Sequence, residues 1–148
     1  MEEAFYAVSS DRAEICRIAG GDHGALTTRT NDGTSHVASS FSDALHGASP
    51  NSGLLVVGEH GAIYTSKDCQ TWTREESGTT VTLRGAYALS GFLGGQRVVV
   101  GDGGTVLVSR DGGPWIKVPL RTDADLYAVE YTGSFLAVGA NGTVVRFY

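Results

Sequence analysis

The amino-acid sequence predicts an all-β fold built from four repeats of about 40 residues. Three observations support this prediction. The chain contains 21 glycines but only 3 prolines, together with many Val, Thr and Ser residues, which is typical of short strands joined by tight turns. Its apolar runs are short, and no amphipathic helical stripe is visible. The same order of strand and turn signals recurs along the whole chain.

Each repeat begins with a bulky apolar residue, followed two positions later by a small one. An apolar run then ends at a glycine, and a second glycine follows three positions later, at residues 21–24, 58–61, 101–104 and 139–142. A reversal of this kind needs residues that accept positive φ, and Gly, Asn and Asp do so at the lowest energetic cost. We therefore divide the chain into a single domain of four repeats, at about residues 5–44, 45–82, 83–125 and 126–148.

A Ser-x-Asp box and a Trp follow the turn in the second and third repeats. The box residues are Ser66, Asp68, Trp72, Ser109, Asp111 and Trp115. A carboxylate in this position can accept hydrogen bonds from backbone N–H groups of its own turn, and the Trp ring can be buried between neighbouring sheets. We interpret all six residues as structural. In the first repeat the box has decayed, and His36 stands in the place of the Trp.

Segment 56–72, echoed by 99–115, resembles the Asp-box, or bacterial neuraminidase repeat, of β-propellers. The form of the repeats is similar to bacterial repeat proteins related to the photosystem II assembly factor propellers. The resemblance implies a β-propeller whose blades are four-stranded antiparallel sheets around a central axis. Two features depart from the common box: the spacing from Asp to Trp is one residue shorter, and Gln70 replaces a usual glycine.

The last repeat stops at Tyr148, one residue before its box would begin. We therefore expect the last blade to lack its outer strand, which leaves an open sheet edge that can pair with another chain. Three arrangements remain open: one chain closed as a four-bladed ring, a homodimer joined through the open blade edge into a ring of about eight blades, or a fragment of a longer ring.

Candidate binding residues lie on the loops between the second and third strands, which a propeller gathers on one face. They are Asp22, His23, Glu59, His60, Asp102 and Asn141. This face is predicted to be acidic and to meet a cationic or polar protein surface. The two histidines occupy equivalent positions, but a metal site needs three or four ligands. We therefore expect neither a metal nor another cofactor.

Several classes of function are disfavoured. A net charge of -5 with 18% charged residues provides no basic surface for nucleic acid or anionic membranes. The acidic N-terminus shows no signal peptide, so the chain as written is expected in the cytoplasm. No GxSxG, HExxH or phosphate-loop motif is present, and we predict no catalytic residues. The predicted function is a non-enzymatic scaffold for protein–protein interaction or assembly. The alternatives are a lectin-like glycan-binding module and, from the resemblance, a sialidase-like glycoside hydrolase.

Overall fold

The computed structural model describes residues 5–10, 16–24, 26–30, 33, 35–38, 41–49, 54–68, 70–89 and 95–148, with the backbone alone for 5–10, 16–19, 27–28, 30 and 35–38. This part of the chain forms four β-sheets in which every strand pairing is antiparallel. The predicted all-β class is thereby confirmed. None of the described segments is a helix long and apolar enough to span a membrane.

The strands follow one another in chain order within every sheet. The first sheet contains β1 (Phe5–Ser10), β2 (Cys16–Gly21), β3 (Leu26–Thr30) and β4 (Ser35–Ala38). The second contains β5 (Leu45–Ser49), β6 (Leu54–Gly58), β7 (Ile63–Ser66) and β8 (Thr73–Glu75). The third contains β9 (Leu83–Leu89), β10 (Gln96–Gly101), β11 (Thr105–Arg110) and β12 (Ile116–Lys117). In the described residues the fourth sheet has three strands, β13 (Leu126–Tyr131), β14 (Phe135–Gly139) and β15 (Val144–Phe147).

A short 3-10 turn joins the second strand to the third in each sheet, at Asp22–Gly24, Glu59–Gly61, Asp102–Gly104 and Ala140–Gly142. The middle residue of each turn is left-handed, with φ between 52° and 64°. His, Gly and Asn occupy this position, which explains why it varies in sequence. The glycine that ends each turn is also left-handed, with φ between 67° and 72°. Two successive left-handed residues reverse the chain tightly.

The turn also joins its own sheet to the next one. In the second sheet the N–H of Glu59 donates to Ala44 O (2.9 Å) at the entry to β5, and the N–H of Gly61 donates to Val81 O (2.8 Å) before β9. In the third sheet, Gly104 N donates in the same way to Ala124 O (2.9 Å) before β13. These bonds need a close backbone approach, because a Cβ on Gly61 would lie 1.9 Å from Thr79 O.

The small residue near the start of each first strand has a related role. Each first strand contains a β-bulge directly before this residue, between Leu45 and Gly47 in the second sheet for example. A Cβ on Gly47 would lie 2.6 Å from Arg84 O in the first strand of the next sheet. The small residue therefore allows neighbouring first strands to pack backbone against backbone.

The four first strands lie side by side in the order β1, β5, β9 and β13. Apolar side chains fill the space between successive sheets in three clusters. These are centred on Leu26, Val56 and Tyr64 between sheets one and two, on Leu55, Ile63 and Val99 between two and three, and on Val98, Val106 and Phe135 between three and four. No comparable packing joins β13 to β1 within the described part of the chain. The four sheets therefore form an open row, and the described residues do not close a ring.

Two adjacent glycines allow a test of the turn. Gly103 and Gly104 are both left-handed, but a Cβ on Gly103 meets nothing within 4 Å, whereas one on Gly104 would lie 2.1 Å from Thr122 O. We expect Gly103→Ala to cost about 1 kcal/mol, the energy of a left-handed Cβ. Gly104→Ala should cost at least about 2 kcal/mol more, because backbone must also move. Urea unfolding measures both values, and equal losses would contradict the proposed role of the close approach.

Candidate functional site

The six predicted binding residues lie on the four turns, at one end of the sheets, which we call the turn face. The list is Asp22, His23, Glu59, His60, Asp102 and Asn141. The two histidines and the asparagine are exposed, while the three acidic residues are half-buried. Because the sheets pack side by side, the turns form one continuous polar rim along the row.

Two of the acidic residues on the turn face have basic partners. The guanidinium of Arg84 donates from Nε and from a terminal nitrogen to the carboxylate of Asp102 (3.2 Å for the second bond). The hydrogen bond to Asp102 raises the pKa of Arg84. His46 Nε2 lies 3.9 Å from Glu59 Oε1. The turn face is therefore less acidic than its sequence predicts.

Two further acidic residues anchor the turns. Asp43 Oδ1 lies 2.9 Å from His60 Nδ1, and its other oxygen accepts a bond from Tyr64 (3.2 Å). Burial, followed by the Asp43 charge and hydrogen bond, raises the pKa of Tyr64. Asp125 accepts a hydrogen bond from the N–H of Gly103 (2.8 Å). Both carboxylates hold a left-handed residue in place.

Three residues that the sequence did not single out lie where the first strands of sheets two, three and four meet the turn face. We call this part of the turn face its inner edge. His46, Arg84 and Tyr127 are the residues between the bulky and the small position, and each occupies the β-bulge of its strand. The guanidinium of Arg84 lies 5.7 Å from the ring centroid of Tyr127, a cation–π contact between the third and fourth sheets. The signal in the sequence was a position that varies between the bulky and the small residue, both of which recur in every repeat. A β-bulge changes the direction in which the side chain at this position points.

At the opposite end of the sheets, a cavity of about 730 Å³ opens between the second and third sheets. Glu75 accepts hydrogen bonds there from Arg97 (2.8 Å), Trp115 Nε1 (2.7 Å) and Thr65 (3.1 Å). Arg97 also donates to Ser109 (2.8 Å), and its guanidinium lies 4.8 Å from the Trp115 ring centroid. This network joins the second sheet to the third by polar contacts.

The pKa of Glu75 reflects these contacts. Burial on its own would raise it, but the hydrogen bonds from Arg97 and Trp115 and the charge of Arg97 outweigh burial, and the pKa is lowered. The sequence contained a signal for this pair. Arg97 lies four positions before its turn glycine, where the second and fourth repeats have Leu54 and Phe135 and the first has Arg17, and Glu75 lies three positions after its Trp, where the third repeat has Val118.

The two Asp boxes differ in structure. Asp68 Oδ1 accepts bonds from the N–H groups of Thr71 (2.7 Å) and Gln70 (2.9 Å) and from Ser66 Oγ (3.1 Å). These bonds, led by the one from Thr71, lower the pKa of Asp68 to about 2. The predicted role of this carboxylate is therefore observed in the second repeat.

The same role predicted for Asp111 was wrong, because none of the described residues donates a hydrogen bond to its carboxylate. Asp111 (φ 52°) and Gly112 (φ 73°) are instead the central residues of a type I′ turn, which the bond from Gly113 N to Arg110 O (2.8 Å) closes. The N–H of Asp111 donates to Gly95 O (2.8 Å), so backbone acceptors satisfy this turn. Ser109 Oγ donates to Gly113 O (2.7 Å) rather than to Asp111.

Both Trp rings pack towards the preceding sheet. Trp72 makes an edge contact with Phe41 (6.4 Å between ring centroids), and Trp115 packs against the cluster between sheets two and three. Trp72 Nε1 is buried with no partner in the described part of the chain, whereas Trp115 Nε1 bonds to Glu75. The side chain of His36, which replaces the Trp in the first repeat, lies outside the described residues. Groups of three or more His, Cys, Asp or Glu that could hold a metal are not found among those described.

No protein-family model matches this sequence, and no curated protein matches it. Fifteen chains of solved structures do match. One is YCF48 bound to a D1 peptide, with a TM-score of 0.71 and 17% sequence identity. The alignment covers 99% of this chain and 50% of the YCF48 chain, so this chain spans half the length of that structure. YCF48 is a β-propeller, and the fold of this chain is similar to it.

The Glu75–Arg97 pair predicts a coupled effect on stability. Glu75→Gln should lower the free energy of unfolding by about 2 kcal/mol, because it weakens charged hydrogen bonds at a half-buried site. Glu76→Gln makes the same charge change at the adjacent exposed residue and should cost less than about 0.5 kcal/mol.

A double substitution tests whether Glu75 and Arg97 contribute to stability as a coupled pair. Glu75→Val should destabilise because it leaves Arg97 half-buried without its carboxylate, and adding Arg97→Leu should recover most of that loss, because apolar residues of similar volume often replace a buried ion pair at no cost. Chemical denaturation of the single and double variants measures the coupling. Additive losses would contradict it.

Asp68 predicts a dependence of stability on acid. Its folded pKa, about 2, lies below the ordinary value of 3.8, so the charged carboxylate stabilises the fold above about pH 4, and this contribution is lost as the pH falls towards about 2. Asp68→Asn should therefore flatten the fall of Tm between those two pH values. Asp111→Asn removes the other exposed box carboxylate and should leave the profile as in the wild type. Thermal scans across this range compare the three proteins.

Proposed function

We propose that this chain is a non-enzymatic β-propeller module that binds a protein segment through its turn face, as a scaffold or assembly factor does. The observation that carries the proposal is the structural similarity to YCF48, which is bound to a D1 peptide in the matching structure. The match extends over nearly the whole chain. A propeller that binds a peptide is therefore a template for this arrangement of sheets.

The turn face is well suited to protein binding because its backbone is rigid. In the second, third and fourth sheets the turn is bonded to the entry of its own sheet, and the second and third turns are also bonded to the next sheet. A surface that is already ordered loses little conformational entropy when it binds. The side chains that it presents, His23, His60 and Asn141, are exposed at the left-handed position of three turns.

Two of the acidic side chains near the turns already make contacts within the chain. Asp102 bonds to Arg84, and Asp43 contacts His60 and Tyr64. Glu59 lies 3.9 Å from His46, but its side chain is 44% exposed, and Asp22 is half-buried. These two carboxylates are the ones proposed to meet a cationic partner. A cationic or polar segment is accordingly the proposed ligand. The four sheets of this 148-residue chain provide a binding platform. No catalytic step is assigned to this platform.

Self-association through the edge of the last sheet is a second arrangement, which is predicted from the sequence and is separate from the binding face. In the described residues β15 is the outer strand of the fourth sheet, and an unpaired edge strand is a surface on which a second copy can pair. This edge is where the sequence places the contact of a homodimer.

Charge reversal tests the binding face. The probe is a set of synthetic Lys- and Arg-rich peptides with acidic peptides of the same length as references, and fluorescence anisotropy measures Kd. We expect the cationic peptides to bind more tightly, and Glu59→Lys to weaken that binding at least about tenfold, or about 1.4 kcal/mol. Adding Asp22→Lys should weaken it further, and added salt should weaken wild-type binding.

Asp111→Lys is the matched control, since it makes the same charge reversal at an exposed residue directly after β11, at the end of the sheet opposite the turns. Equal losses in Glu59→Lys and Asp111→Lys would show a non-specific charge effect and contradict the turn face as the site. Binding of a glycan array with no binding of any peptide would favour the lectin-like alternative instead.

A further inference from the structure

The outward face of the fourth sheet is apolar at its centre and exposed. Across the sheet, Ala128 pairs with Val138, and Val138 pairs with Val144, so these side chains share the face that points away from the third sheet. Val138 is 41% exposed and Val144 is 63% exposed. Leu136, on the same face, lies between Glu130 and Arg146. We call these six residues the outward face.

The same positions are buried in the two preceding sheets. Counted from the first turn glycine, Val138, Leu136 and Val144 correspond to Val57, Leu55 and Ile63 in the second sheet and to Val100, Val98 and Val106 in the third. All six of those side chains are fully buried. Those of the second sheet pack on Leu83 and Val99 of the third, and those of the third pack on Leu126 and Phe135 of the fourth.

A glycine provides a second, independent indication. In the first three turns a Cβ on the last glycine would meet a carbonyl oxygen just before the next sheet, at 2.1 Å for Gly24, 1.9 Å for Gly61 and 2.1 Å for Gly104. A Cβ on Gly142 would meet no described atom within 4 Å. At the other three turns this space is occupied by the start of the following sheet. At the fourth turn no described residue fills it.

Both observations indicate what would cover the outward face. At the equivalent positions of the other sheets, the cover is another sheet of the same kind. The four sheets align with half of the YCF48 chain, so a propeller of that length has room for further sheets, which a second copy of this chain would supply. Two copies related by a two-fold axis can close such a ring through two identical contacts.

We propose that two copies of this chain form one ring, with the outward face of each fourth sheet packed against the first sheet of the other copy. This inference rests on the proposed propeller module and adds its partner. The flat face makes the contact, rather than the edge of β15. Glu130 and Arg146 stand where the third sheet has Tyr87 and Val108, so the outer part of the contact is charged and the centre is apolar.

Light scattering on the full chain tests the ring. We expect a mass twice the chain mass of 15.5 kDa in the wild type. Val144→Asp should shift the mass to that of one chain, because it places a carboxylate in the apolar centre of the contact. Ile116→Asp is the matched control: Ile116 is 64% exposed, as Val144 is 63% exposed, but lies on β12 of the third sheet. It should leave the mass doubled.

Each other outcome overturns the ring. A wild type that stays monomeric at every concentration excludes it without any variant, so the test does not depend on how Val144→Asp folds. A dimer that survives Val144→Asp and Val138→Asp indicates pairing through the edge of β15, and masses above two copies indicate an open assembly. Peptide binding is measured separately on the wild type. A monomeric wild type that binds peptide would exclude the ring and leave the proposed function intact, whereas a dimeric wild type that binds no peptide would exclude the proposed function and leave the ring intact.

Discussion

The structure depends on a close approach of backbone to backbone at each turn. In the second, third and fourth sheets the first residue of the turn donates its N–H to the entry of its own sheet, and in the second and third sheets the last glycine donates to the entry of the next. Neither approach tolerates a Cβ, since one on Gly58 would lie 2.0 Å from Ala44 O and one on Gly61 would lie 1.9 Å from Thr79 O. Hydrophobic clusters then fill the space between sheets whose separation these contacts have already set. The repeat is therefore defined by its glycines more than by its apolar residues, which vary in size from Ala to Phe.

The contacts between successive sheets are not chemically uniform. The cluster between the first and second sheets is apolar and aromatic, with Phe41 packed against Tyr64 at 4.1 Å between ring centroids. Between the second and third sheets, an ion pair and a Trp hydrogen bond accompany the apolar residues. A buried pair of this kind adds specificity more readily than stability, because its desolvation offsets much of its attraction. It restricts which sheet can follow which, in a chain whose repeats would otherwise be interchangeable.

Much of the fold could be predicted from the sequence because its constraints recur. Four matched turn patterns gave the strand order and the left-handed positions, and the box of the second repeat gave the bonds of Asp68. The prediction for Asp111 was wrong because Gly112 follows it: two successive left-handed residues form a type I′ turn that needs no side-chain acceptor. Arg97 and Glu75 were missed because their partners lie on different sheets. Their local signals were a charge at Arg97, where two other repeats have Leu54 and Phe135, and a charge at Glu75, where the third repeat has Val118.

A functional interpretation follows from the positions at which the repeats differ. Residues required by the fold recur at matched offsets, whereas the bulge residues His46, Arg84 and Tyr127 share a position but no chemistry. Each lies at the inner edge of the turn face, and Arg84 contacts both Asp102 and Tyr127. A fold that needed a particular side chain there would have kept it, as it kept the small residue beside it. These three positions are therefore not fixed by the repeat, and in the proposed ring a second copy that continued the row would carry the same three residues along its own inner edge.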